Sequence, residues 1–183
     1  MMYSTMAADS ASSRLPSSMT GAAPVIEDGD VLLAESAAIV EYIIVKHGGG
    51  RLKPGPEHPD YAAFLYWFHF SNGNLQPAIG RLMMMSRAKL ATDHPVLVSV
   101  QGRLDRVLAL VEARLGEATW LAGSEFTAAD IMSVFSFTTM RLFQPIDLAP
   151  YPNIRAYLQR IGERPAYRRA MAKGDPDLVP MLD

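Results

Sequence analysis

The 183-residue chain is 49% hydrophobic, carries 17 basic against 19 acidic residues, and contains no cysteine. That apolar share is enough for one generous domain or two small ones, and a net charge of −2 offers no basic face for nucleic acid. Disulfides, cysteine-ligated zinc and a cysteine nucleophile are all excluded, which suits a reducing cytosol.

No apolar run reaches the roughly 18 residues that cross a bilayer. The start of the chain also lacks the charged and apolar stretches of a secretory signal, so a cytoplasmic protein without membrane contact is expected. Residues 1–20 are rich in Ser and Ala and read as loop, apart from a possible short strand at Met1–Met6. Pro24-Val25-Ile26-Glu27 and Val31-Leu32-Leu33 flank Asp28-Gly29-Asp30, the pattern of a β-hairpin, because Gly tolerates the positive φ of a tight turn. Glu35-Ser36 then opens a helix with Ile39, Val40, Ile43 and Ile44 on one face and Glu41 and Lys46 off it, and Gly48-Gly49-Gly50 ends it.

From Pro59 onward the periodicity is helical. A long helix is expected over about Asp60–Ala91, bent near its middle by Asn72-Gly73-Asn74 and Pro77. A second spans about Pro95–Leu115, with Gly116 as its stop. Others follow at about Thr127–Leu142, Pro152–Gly162 and Pro165–Lys173, before an irregular tail over 174–183. Thr127 and Asp130 are spaced to cap each other's backbone N–H groups as a capping box, with Phe126 and Ile131 at the positions of a hydrophobic staple. Arg160, Arg164, Arg168 and Arg169 read as a solvated helix face, and His69 receives no role.

Three motifs then share one resemblance, in order, over about Gly21–Lys173. Trp120-Leu121-Ala122-Gly123-x-x-Phe126-Thr127-Ala128-Ala129-Asp130-Ile131 resembles the capped central helix of the cytosolic, bacterial-type glutathione S-transferases. Pro24-Val25-Ile26-Glu27-Asp28-Gly29 with Leu33-Ala34-Glu35-Ser36-x-Ala38-Ile39 resembles their second glutathione-site motif. Tyr151-Pro152-Asn153-Ile154 with Arg164-Pro165-Ala166-Tyr167 resembles their last helices.

The resemblance implies a mainly α fold. Residues 21–50 would form part of a thioredoxin-like domain, a hairpin and one helix, and residues 59–173 the all-α domain. It also implies a cis Ala23–Pro24 bond that exposes the Ala23 N–H and C=O to the cysteinyl part of glutathione. Ser36 would donate to the γ-glutamyl carboxylate at a helix N-terminus, and Glu35 would accept from the α-ammonium. Glutathione would be the co-substrate, without a metal or other cofactor.

A pocket for an apolar electrophile is implied along the first helix of the all-α domain. Tyr66, Trp67, Phe70, Asn74 and the Met83–Met85 run are available there, with Phe135 and Phe137 opposite. Family members carry a βαβα unit before the cis-proline, with a residue that activates the thiol. The residues before Gly21 do not match that unit, and Ala22 and Ala23 replace a basic or amide residue. The catalytic residue is therefore unassigned, with Tyr3 and Ser4 as the only candidates for sulfur activation, and weak or absent conjugation is expected. The alternative is a non-catalytic module for dimerisation or hydrophobic-ligand binding. The family pattern further implies detoxification as the role and a homodimer as the assembly.

Overall fold

The computed structural model describes residues 24–183, in two compact units that divide between Arg51 and Leu52. The expected strand at Met1–Met6, the Ser/Ala-rich segment, Tyr3, Ser4, Ala23 and the Ala23–Pro24 bond lie outside the described residues.

In the first unit, β1 (Val25–Asp28) and β2 (Val31–Ala34) pair antiparallel, from Val25 opposite Ala34 to Asp28 opposite Val31. That register leaves a two-residue loop, Gly29-Asp30, and Gly29 takes φ 62°, which a side chain would resist. Helix α1 (Ser36–Lys46) buries Ile39 and Ile44, while Ile43 is exposed despite sharing their predicted stripe. Its C-terminus is closed by backbone rather than side chains: Gly48 N–H donates to the carbonyls of Ile43 and Ile44, and Gly50 N–H donates to Ile44.

The second unit is a helical bundle. The expected first long helix is two helices, α2 (Tyr61–Phe70) and α3 (Gln76–Arg87), joined by a widened π-helical turn, Ser71–Leu75. There the Gln76 N–H reaches the Ser71 carbonyl, five residues back, and the buried Ser71 hydroxyl donates to the Met132 carbonyl at 2.7 Å. Pro77 falls in the first turn of α3, where its missing N–H costs little. The interruption is thus a change of helical pitch, and α3 stops at Arg87, short of the expected Ala91.

Helix α4 (Pro95–Glu117) runs through Gly116, the residue expected to end it. A Cβ there would lie 3.0 Å from the Asn153 amide nitrogen, so the missing side chain serves close packing instead of helix termination. Helix α5 (Ala128–Phe137) is shorter than predicted. Its C-cap Thr138 returns its hydroxyl to the Val134 carbonyl, and a 3₁₀ turn follows at Thr139–Leu142. Helices α6 (Pro152–Glu163) and α7 (Pro165–Gly174) complete the bundle. Residues 175–183 have no regular secondary structure, but Gln159 Nε2 and Arg141 Nη1 donate to the Leu182 and Asp183 carbonyls.

Helix α2 packs on α5, α3 on α4, and α4 on α6. The core between them includes Phe64, Leu75, Ile79, Leu104, Leu108, Phe137, Ile154 and Leu158, each at most 2% exposed. Each such side chain contributes roughly 1.5–3 kcal/mol by leaving water.

A carboxylate sits within this core. Asp130 has no exposed surface, yet accepts from the Leu121 N–H at 3.0 Å, the Thr127 N–H at 2.8 Å and the Tyr157 hydroxyl at 3.2 Å. In return the Thr127 hydroxyl accepts from the Ala129 N–H at 3.3 Å, and both halves of the capping box are present. Phe126, at the staple position, has its ring edge-to-face with Trp120 and 3.6 Å beneath the Arg164 guanidinium. Arg160 also lies over Trp120 and donates to the Thr119 carbonyl. The predicted solvated arginine face is therefore corrected: two of its four members clamp the loop before α5.

Thr127→Ala should lower stability by about 1 kcal/mol for the cap and roughly 1–3 more for a buried unpaired N–H. Asp130→Ala should cost a similar amount, and the double variant less than the sum, as denaturant midpoints would show. Burial, the largest influence on Asp130, holds its carboxyl above the ordinary range. The proton thus binds the folded chain more tightly than the unfolded one. Its stabilisation is full below about pH 3.9 and lost as pH rises through the folded value. The stability gap between parent and Asp130→Asn should accordingly widen as pH falls from about 7 toward 4; a gap that stays constant would refute the burial effect.

Candidate functional site

The turn from β2 into α1 is the most unusual backbone in the first unit. Ala34 is buried, Glu35 is exposed at φ 76° and ψ 115°, and Ser36 starts the helix. For a residue with a Cβ this is a strained conformation, worth of order 1–3 kcal/mol, held only because its surroundings impose it. The Glu35 side chain makes no capping hydrogen bond, although the residue occupies the N-cap position. The first intrahelical bond is Ile39 N–H to the Glu35 carbonyl. The N–H groups of Ser36, Ala37 and Ala38 therefore point out of the helix without helical partners, at the positive end of its dipole. With no acidic residue in that first turn, the position suits an anionic group from a ligand.

The other end of the unit is fastened by a network that sequence reading took only as turn chemistry. Asp28 Oδ2 is 2.7 Å from His47 Nε2 and 3.1 Å from Lys46 Nζ, and accepts from the Tyr42 hydroxyl at 3.0 Å. These contacts, with His47 foremost, hold the Asp28 carboxyl down to about 2. The partners lie 14–19 residues along the chain, so no local pattern marks them. Their effect is to tie the hairpin loop to the last turn of α1.

The side chains expected around an apolar pocket divide by environment. Trp67 and Phe70 are buried at 7% and 4% exposure and meet edge-to-face, 5.0 Å between ring centres. Phe137 is wholly buried. Tyr66 and Met84 are 54% and 64% exposed, Phe135 is 41% exposed, and Asn74 is half-buried and accepts from Arg103 Nη2. Tyr66 stacks on Phe70, so it continues the core aromatics outward. A groove of about 740 Å³ in the helical unit is lined by other residues of α3, α4 and the segment 144–151, and none of these expected residues contributes to it.

Gly123, part of the motif before α5, has a packing role that the motif itself does not state. A Cβ there would overlap the Asp60 carboxylate at the start of α2, so this glycine permits the loop before α5 to approach α2. Among the described residues, no cluster of three or more His, Asp or Glu is arranged to hold a metal ion. None of their helices is long and apolar enough to cross a membrane.

The family model described as "Glutathione S-transferase, C-terminal domain" matches residues 73–165. Glutathione S-transferase 3 of Zea mays is 30% identical over 158 residues, which cover 83% of this chain and 71% of that protein. A solved glutathione S-transferase from Actinobacillus pleuropneumoniae superposes with a TM-score of 0.75 at 27% identity, covering 90% of this chain and 72% of the other. A sphingomonad glutathione S-transferase, solved in complex with glutathione, gives a TM-score of 0.68 at 25% identity over 85% of this chain and 75% of the other.

The strained turn makes a direct prediction. Glu35→Gly should raise the denaturant midpoint, because relief of strain outweighs the roughly 0.5–1 kcal/mol that glycine costs in chain entropy. Glu35→Val, with a branched side chain at the same φ, should lower it. The reverse order would show that the turn is unstrained.

Proposed function

The chain belongs to the glutathione S-transferase family, and from this we propose that it binds glutathione at Glu35 and Ser36 and joins its sulfur to an apolar electrophile. The observation that carries the proposal is the N-terminus of α1, without an acidic residue in its first turn, beside an exposed Glu35 carboxylate that makes no capping bond. The γ-glutamyl carboxylate would accept from the Ser36 N–H and hydroxyl, and the α-ammonium would donate to Glu35. The glutathione in the sphingomonad relative supports the choice of ligand.

Ala23 would pair with the cysteinyl amide through its N–H and C=O, next to Pro24. The chemistry is attack of the thiolate on an electrophilic carbon: a carbon–sulfur bond forms, and a halide leaves with the bonding pair while the thiol proton passes to solvent. No residue is assigned to hold the sulfur as thiolate, Tyr3 and Ser4 being the candidates, so conjugation is proposed to be weak. Tyr66, Met84 and Phe135 offer exposed apolar surface for the second substrate, extended inward by Trp67 and Phe70, with Asn74 as a polar contact. Glutathione acts as co-substrate, so no separate cofactor is required. We place the protein in the cytosol, in a detoxifying role.

Calorimetric titration with glutathione tests the site. Ser36→Ala and Glu35→Gln should each weaken binding about tenfold or more, the loss of roughly 1.5–3 kcal/mol expected of a charge-assisted hydrogen bond. No heat at millimolar glutathione, or unchanged affinity in both variants, would refute it. In conjugation to a chlorinated nitroaromatic, Tyr3→Phe or Ser4→Ala should cost about 10²–10⁴ in rate if that residue holds the sulfur.

We also propose a two-fold symmetric homodimer. Ile43 and Val45 on α1 are large apolar side chains exposed in the single chain. Light scattering at micromolar concentration should give twice the 20.1 kDa chain mass, and a particle of one chain mass would exclude the dimer.

A further inference from the structure

The groove of about 740 Å³ in the helical unit plays no part in the glutathione reading, and its size is typical of a small-molecule site, roughly 300–1,000 Å³. Its floor is apolar. Leu82 of α3, Leu104 and Leu108 of α4, and Ile146 beyond the 3₁₀ turn all line it at no more than 8% exposure. Leu97 and Val98, near the start of α4, extend the apolar wall, and Val98 is 55% exposed.

The charge on the lining has one sign. Asp105 of α4 and Asp147 of the facing segment both line the groove, both are exposed, and neither joins a salt bridge among the described residues. Asp105 accepts from Gln101 Nε2 at 2.8 Å and Asp147 from the Ala149 N–H at 2.9 Å, so each carboxylate keeps free acceptor capacity. Tyr151 lines the same groove and senses this field. Burial first, then Asp105, Glu112 and Asp147, push its phenol above the ordinary range.

Arg106 lies beside Gly102, and Arg141 is within electrostatic reach of Asp147. Arg141 is occupied by the Phe137 and Asp183 carbonyls, and neither arginine lines the groove.

We propose that this groove binds a small organic ammonium ion, its apolar body against Leu97, Val98 and Ile146 and its charged nitrogen toward Asp105 and Asp147. An anion would meet two carboxylates with no lining cation to offset them. A neutral molecule would gain the apolar contact alone. The Tyr151 ring adds an aromatic face of the kind that attracts a partly desolvated ammonium.

The test uses the full chain and three naphthalenes of one shape: 1-naphthylmethylammonium, neutral 1-naphthylmethanol and anionic 1-naphthoate. Calorimetry should show the ammonium binding at least about tenfold more tightly than the alcohol, no detectable naphthoate binding, and a preference that shrinks with added salt. Saturating glutathione should leave the ammonium affinity unchanged, so this result stands apart from glutathione binding. The surface pair Asp105→Asn with Asp147→Asn should erase the preference for the ammonium over the alcohol. Val98→Arg should weaken the ammonium specifically. Equal binding of the three probes, no binding of any, or a preference that survives Asp105→Asn with Asp147→Asn would overturn the proposal.

Discussion

A carboxylate with no exposed surface is costly unless nearly every lone pair is answered, and Asp130 fixes much of the helical unit by demanding those answers. Its Oδ2 takes the Thr127 N–H and sets where α5 begins. Its Oδ1 takes the Leu121 N–H and the Tyr157 hydroxyl, which pins the preceding loop and brings α6 against α5. Once Leu121 is held, Arg114 can donate to the Leu121 and Ala122 carbonyls from the end of α4. Trp120 packs edge-to-face on both Phe126 and Tyr157, and Arg164 covers Phe126 from the start of α7. One buried charge thus specifies a loop, the ends of three helices and the middle of a fourth. Partial satisfaction would be worse than an apolar core, so the arrangement forms as a whole.

The first unit solves a different problem with the same means. The strained turn at Glu35 survives only if the helix behind it cannot swing away to relax it. Asp28, bound to Tyr42, Lys46 and His47, fastens the last turn of α1 to the hairpin loop. The hairpin register fastens the other side. A rigid N-terminus with unpaired N–H groups results, and rigidity of this kind lowers the ordering cost of binding.

What was legible in the sequence was local. Asp28-Gly29-Asp30 announced the hairpin, and Thr127 with Asp130 announced the start of α5, because each signal needs only four residues. The other partners of Asp130 were not legible: Leu121 and Tyr157 are brought in by packing, 9 and 27 residues away. Glu35 and Ser36 were picked out by resemblance, but nothing in a glutamate marks a positive φ. Helical spacing put Tyr66 and Phe70 on one face, yet Phe70 is buried and Tyr66 exposed, since periodicity cannot say where the covering neighbours stop. Gly116 misled for a related reason: its value lies in the room it leaves for Asn153.

The wide turn at Ser71–Leu75 has a consequence for heredity. A turn closed by a bond to the fifth residue back contains one residue more than an ordinary helical turn. A gene that lost one codon within this stretch would let the same turn close as regular α-helix, and α2 and α3 would still present Phe64, Phe68, Ile79 and Leu82 to the core. Elsewhere in these helices the same lesion would rotate every later side chain by about 100°. The segment is therefore a place inside a buried helix where one residue can be lost while the packing on either side is kept.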